Sequence, residues 1–221
     1  ITFMDFKNNG ECWKSLFFCG TLKLHDKTFS HCFSIYSGFL QLRGYKNFEL
    51  GIFDNNAKEV AFIKKSIRKR LDYLIEEGLE WVIISGQLGV ELWAGEVVLD
   101  LKKIYPELRL AIITPFLQHE SNWNEKNQEC YHSIASQADF VQAVSNQPYV
   151  SPVQFKNRDQ FLLHKTDGTL IFYDEENEGS PQYFLKKARE YAENHPYEVL
   201  QINFYDIQQI IEEAGYEHNN E

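Results

Sequence analysis

The chain has 221 residues, enough for one sizeable domain and an appendage, and 43% of them are hydrophobic, enough for a packed core. Its formal charge of −10 argues against a broad nucleic-acid surface, which needs clustered Lys and Arg. The 4 Cys are scattered without a C-x-x-C pair and support neither a disulfide framework nor a zinc site, and no apolar run is long enough to span a membrane, so a reducing cytoplasm is the simplest compartment.

The first 43 residues differ from the rest. Cys12, Cys19 and Cys32 lie here among many Phe, with no sustained helical or alternating period. Cys12, Cys19, His25, His31 and Cys32 match no common zinc spacing, and no metal site is expected. Residues 1–37 are expected to be a poorly structured or non-native extension.

From Gly38 the pattern becomes orderly. Phe39–Arg43 reads as a first strand, followed by a loop from Gly44 to Gly51. Val60, Ile63, Ile67, Leu71 and Leu74 form the apolar stripe of a long helix that Gly78 closes. Lys64, Lys65, Arg68, Lys69 and Arg70 on its other side read as a solvated face. The run Trp81-Val82-Ile83-Ile84 marks a buried second strand, Glu80–Ser85. From Val90 the apolar positions Val90, Trp93, Val97, Leu101 and Ile104 predict a helix ending near Tyr105-Pro106.

Between these two elements, Ser85-Gly86-Gln87-Leu88-Gly89-Val90-Glu91 turns strand into helix. Backbone N–H groups at a helix start carry partial positive charge, and glycine permits close approach and positive φ; together they suit a phosphate. A carboxylate beside a phosphate repels it. Glu91 is therefore expected to face a ribose hydroxyl, a base or a reacting carbon.

Leu108–Thr114 reads as a third strand, stopped by Pro115, and Asn124–Gln137 as a helix. Asp139–Val144 is a fourth strand, Pro152–His164 a helix and Thr169–Tyr173 a fifth strand. After the acidic turn Asp174–Glu178 and Gly179-Ser180, Pro181 opens a helix running to about Glu193. Val199–Phe204 is a last strand, Asp206–Ala214 a closing helix and Glu217–Glu221 a polar tail.

Strands alternating with helices predict an α/β fold, a mostly parallel sheet with helices on both faces. Ligands in such sheets bind beyond the C-terminal strand ends. That rule gathers the loops Gly44–Gly51, Ser85–Glu91, Thr114–Trp123 and Tyr173–Ser180. Candidate ligand-binding residues are Gly44, Tyr45, Ser85, Gly86, Gln87, Gly89, Glu91, Pro115, Phe116, Arg158, Gly179 and Ser180. The glycine-bearing helix starts at Gly86/Gly89 and Gly179/Ser180 fit a ligand with two ends, such as a nucleoside diphosphate. Tyr45, Phe48, Phe116 and Trp123 could stack on a base or pack in the core or rim. Arg158 could hold a phosphate bidentately, or pair with Asp159 or Asp167.

Several stretches have a familiar form: Gly44-Tyr45-Lys46-Asn47-Phe48-Glu49-Leu50-Gly51-Ile52-Phe53, Ser85 to Trp93, Ile113-Thr114-Pro115-Phe116, Ser151 to Phe155 and Glu178-Gly179-Ser180-Pro181. They resemble the YpsA family of Bacillota over about Gly44 to Ala214. The resemblance implies membership of the SLOG superfamily, alongside the Smf/DprA DNA-processing proteins and the Lonely guy phosphoribohydrolases. It implies a Rossmann-like fold, a ligand of the ADP-ribose or nucleotide-sugar type, and a link to cell division and cell shape. The Gly/Glu pair associated with family function falls on Gly89 and Glu91.

The chain departs from that pattern in two places. Arg43 stands where the family has Thr, and an unpaired charge there would be costly to bury. The glutamate of the Lonely guy enzymes is not matched beyond Gly179, where Tyr183, Phe184 and Leu185 follow. Leu40-Gln41-Leu42-Arg43 can be encoded TTA-CAG-TTA-CGG, which yields Thr-Val-Thr in a shifted frame. Residues 1–43 are accordingly expected to be largely out-of-frame or upstream translation, with 39–43 keeping the first-strand slot through backbone pairing.

Two functions fit these residues. One is a cytoplasmic nucleotide-derivative-binding module, without cofactor, nucleic-acid or membrane partner, that acts on cell division or shape through a protein partner. The other is an N-glycosidase or phosphoribohydrolase. In it Glu91 would stabilise an oxocarbenium ion or activate water, and Arg158 would hold a 5′-phosphate. The absence of an obvious nucleophile–base pair favours the first.

Overall fold

The structure, a computed structural model, describes residues 38–218. The extension 1–37, with its Cys and His residues, and the end of the tail, 219–221, lie outside the described residues.

Apolar runs and helical stripes alternate along the chain, and the elements follow them. In order these are β1 (Phe39–Gly44), α1 (Lys58–Glu76), β2 (Trp81–Ile84), α2 (Val90–Leu101), β3 (Arg109–Phe116) and α3 (Glu125–Ala135). Then come β4 (Phe140–Ser145), α4 (Val153–Leu163), β5 (Gly168–Phe172), α5 (Pro181–Ala192), β6 (Glu198–Ile202) and α6 (Phe204–His218). A 3-10 turn, Asn47–Leu50, follows β1.

The strands form one all-parallel sheet in the order β4-β3-β2-β1-β5-β6. The chain steps outward from β1 to β4 and then crosses to the other side of β1 for β5 and β6. The direction of winding therefore reverses between β1 and β5. In open parallel sheets that reversal leaves a crevice beyond the C-terminal strand ends. α1 packs on α2 and α6, and α2 on α3, along one face; α4 packs on β3, β4 and α5 on the other. Strands covered on both faces need apolar residues at successive positions. Accordingly Leu40, Leu42, Val82, Ile84, Leu110, Ile112, Leu170 and Phe172 join one core cluster, while Ile83, Ala111, Ile113 and Leu162 form a second. Gln41 and Thr169, opposite each other in the β1–β5 register, are fully buried, and their side-chain polar atoms have no partner among the described residues. No helix among the described residues is long and apolar enough to cross a membrane.

Several element boundaries differ from the periodicity reading, among them the end of β6 at Ile202 and of α6 at His218, and three have a local cause. α2 stops at Leu101, because Lys103 and Ile104 close tighter turns on Asp100 and Leu101, and Ile104 is exposed. β3 continues through Pro115 to Phe116. The missing N–H is tolerated because β2 has already ended, at Ile84 opposite Ile112, while Thr114 and Phe116 stay paired with β4. α6 starts at Phe204 because Asn203 and Asp206 cap each other: Asn203 N–H donates to Asp206 at 2.8 Å and Asp206 N–H to Asn203 Oδ1 at 3.0 Å.

Candidate functional site

The crevice at the reversal point is a cleft of about 180 Å³. Arg43, Gly44 and Lys46 line it from the end of β1, Gln87 and Glu91 from the turn after β2, and Ser180, Pro181 and Phe184 from the start of α5. Phe155, Arg158 and Asp159 of α4 close it.

Glu91 is buried at the second position of α2, with its carboxylate turned back on the turn that precedes the helix. One oxygen, Oε2, accepts the Ser85 N–H and the Ser85 hydroxyl, both at 2.6 Å, and the Gln87 N–H at 3.4 Å. The other, Oε1, lies 3.5 Å from Arg43 Nη1. Two amides of the turn expected to meet a ligand, those of Ser85 and Gln87, are thus taken by Glu91, and the Val90 N–H donates to the Tyr45 carbonyl. Gly86 has φ +74, as the turn requires, but the space above Gly89 (φ +96) is filled. A Cβ there would fall 2.4 Å from Asn47 N, 2.7 Å from Tyr45 O and 2.8 Å from Lys46 C. On the side where a Cβ would stand, Gly89 admits the backbone of the β1 loop.

The same tight packing recurs at the other glycines. A Cβ on Gly44 would meet Val90 Cγ1 at 2.5 Å, and one on Gly179 would meet Tyr45 Cε1 at 2.6 Å. Tyr45 is buried; its hydroxyl accepts the Asp174 N–H at 3.0 Å and donates to the Asn177 carbonyl. Burial pushes this phenol up to about 12. Tyr45 therefore clamps the β5–α5 loop to β1.

The cationic side of the cleft is built from two arginines. Arg43 Nη2 donates to Asp159 Oδ1 at 2.7 Å, Arg43 Nη1 donates to Ser85 Oγ at 3.2 Å, and the guanidinium lies 4.6 Å over the Phe184 ring. The expected uncompensated charge at Arg43 is therefore corrected: the side chain is buried, but its charge is paired through Nη1 and Nη2 with Glu91 and Asp159. Arg158 is only 4% exposed, and its Nε and Nη2 donate to Asp159 Oδ1 at 3.2 and 2.7 Å. Its Nη1 is buried with no partner among the described residues. Burial and the neighbouring Arg43 lower the Arg158 pKa, against the pull of Asp159 and Glu91. Burial works to raise the Asp159 pKa, but Arg43 and Arg158 outweigh it and hold the carboxyl below its ordinary range. Asp159 is thus an anion that serves two buried cations at once.

Comparison with known sequences agrees with this architecture. The family model described as the YspA SLOG family matches residues 40–207. The UPF0398 protein of Lysinibacillus sphaericus is 51% identical over 172 residues, 78% of this chain and 96% of the relative. The UPF0398 protein YpsA of Bacillus subtilis is 48% identical over 177 residues, 80% of this chain and 98% of the relative. The chain belongs to the YpsA family.

In this YpsA-family chain, the expected residues Gly44, Gln87, Glu91, Arg158 and Ser180 line one cleft. Tyr45, Ser85, Gly86, Gly89, Pro115, Phe116 and Gly179 are not among its lining residues. Of the aromatics, Phe116 packs on Tyr149 and Phe155, and Trp123 on His119 and Tyr131. Phe48 is exposed under the Lys46 ammonium, 5.5 Å from its ring centroid.

Sequence reasoning missed His119. Its Nε2 lies 3.2 Å from the Gly86 carbonyl oxygen and its Nδ1 3.2 Å from the Glu120 carboxylate. Burial pushes its pKa down, opposed by those two acceptors. It buttresses the Gly86 turn from behind. A single His within a loop carries no pattern that could have revealed this. Glu49 was missed as well, although it stands inside a quoted motif: it accepts the Ser180 N–H at 2.7 Å and the Ser180 hydroxyl at 2.9 Å.

Proposed function

We propose that this cleft binds a small nucleotide derivative, of the ADP-ribose or nucleotide-sugar type, and that the protein is a cytoplasmic binding module acting through a protein partner in cell division or cell-shape control. The observation that carries the reading is Arg158, which lines a cleft at the reversal point of a parallel sheet and whose buried Nη1 has no partner among the described residues. Buried guanidinium donors are costly to leave unpaired, and a phosphate oxygen matches them in charge and geometry. The family resemblance supplies the nucleotide and cell-division parts of the proposal.

The state of Glu91 favours binding over hydrolysis. A general base or oxocarbenium stabiliser must present a free carboxylate oxygen to the substrate. Glu91 Oε2 accepts from Ser85 and Gln87, and Oε1 faces Arg43. The residue acts here as the organiser of the turn. Titration calorimetry with ADP-ribose, nucleotide sugars and nucleoside monophosphates tests the proposal. Binding of at least one is expected, weakened at least about tenfold by Arg158→Gln, on the scale of one charge-assisted hydrogen bond. No binding at millimolar concentration, or binding indifferent to Arg158, refutes it. Release of free base from any of these ligands, abolished by Glu91→Gln, would instead favour the hydrolase.

A further inference from the structure

Beside the cleft, a carboxylate of the protein already takes donors of two lining residues, Lys46 and Ser180, that a ligand anion could use. α5 spans Pro181–Ala192, and the amides at such a helix start attract anions. The Ser180 N–H and hydroxyl both donate to Glu49, and the Lys46 N–H donates to the same carboxylate at 2.7 Å. Glu49 sits on the 3-10 turn Asn47–Leu50, which contains no buried residue. Leu50 of the turn packs partly buried against the core, and the Glu49 carboxylate ties the turn to α5. Lys46 and Ser180 line the same cleft as Arg158, whose Nη1 has no partner among the described residues. The cleft therefore has two anion positions, one unpartnered at Arg158 and one held by Glu49.

Resting on the binding reading above, we infer that Glu49 is a ligand-displaceable latch. A ligand with two anionic groups, of the nucleoside-diphosphate class, sets one against Arg158 and the other on the start of α5. The second group expels Glu49, because two anions cannot share the same donors in a partly buried site without strong repulsion. The tie between the 3-10 turn and α5 is then released. A ligand with a single phosphate binds at Arg158 and leaves the turn tied down.

Titration calorimetry of AMP and ADP-ribose into the wild-type chain and Glu49→Gln tests the latch, with hydrogen–deuterium exchange across residues 46–52 as a second readout. Gln keeps an acceptor but removes the competing charge. ADP-ribose is expected to bind the variant about tenfold more tightly than wild type, the scale of a charge-assisted hydrogen bond, while AMP changes by less than about twofold. In the wild type, ADP-ribose should speed exchange in 46–52 and AMP should not, a readout that does not depend on the variant. Equal changes for both ligands, or a turn better protected with ADP-ribose, overturn the latch and leave the binding cleft standing. If neither ligand binds the wild type, the binding reading falls and the latch with it.

Discussion

Replacing Gly89 by Ala should damage the fold before it touches any ligand. Gly89 has φ +96 and ψ −132, a combination that L residues adopt only under strain of about 1–2 kcal/mol or more. The new Cβ would also fall 2.4 to 2.8 Å from three backbone atoms of Tyr45, Lys46 and Asn47. That backbone cannot easily retreat: Tyr45 is buried, and its carbonyl accepts the Val90 N–H at 3.1 Å. Overpacking of this kind costs about 1–3 kcal/mol, so the total is about 2–5 kcal/mol. Against a usual stability of about 5–15 kcal/mol, that is a large share. Gly51→Ala is the matched reference, because Gly51 has φ +67 and nothing within 4 Å of an added Cβ. It measures backbone strain alone, about 1–2 kcal/mol. Urea unfolding of both variants and the wild type, followed by tryptophan fluorescence, yields the difference. Equal losses for the two variants would show that the β1 loop does not fill the space above Gly89, and would restore the idea of a ligand there.

Glu91→Ala strips the acceptor from two Ser85 donors and the Gln87 N–H, and should cost about 2–4 kcal/mol in urea unfolding; a loss below about 0.5 kcal/mol would refute its role as organiser of the turn. Asp159, held below its ordinary pKa by Arg43 and Arg158 against its burial, stabilises the fold above its unfolded pKa of about 3.9 and loses that contribution as pH falls through the lower folded value. Asp159→Asn should therefore be less stable than wild type at neutral pH, with the gap narrowing below about pH 4; a gap independent of pH contradicts the pairing. Gln41→Leu should stabilise the protein by about 1 kcal/mol, since it removes two buried polar atoms that have no partner among the described residues; an unchanged or lower urea midpoint would mean that Gln41 is satisfied in solution.

The alternation of elements was legible in the sequence because it is written locally. Val60, Ile63, Ile67, Leu71 and Leu74 can share a face only on a helix, and Trp81–Ile84 is too short a run to be anything but a buried strand beside it. From that alternation came the parallel sheet, its ligand-bearing edge and the loops that meet there. The membership of Gln87 and Ser180 in one cleft was also within reach, because the edge rule needs only the order of strands and loops; Arg158, in the middle of α4, lies on none of those loops. What fills the space above each glycine was not. Gly86, Gly89 and Gly179 announce a close approach, but the approaching group can be a phosphate or another part of the chain, and only packing decides which. The same holds for charge. Arg43 looked like an uncompensated cation because its partner Asp159 lies 116 residues away, and Glu91 looked free to meet a ligand because nothing along the chain says that its carboxylate turns back to Ser85. Side-chain partnership in a buried site depends on distances of a few ångströms between residues far apart in sequence, and those distances exist only once the sheet has brought the ends of β1, β2 and β5 together around α4.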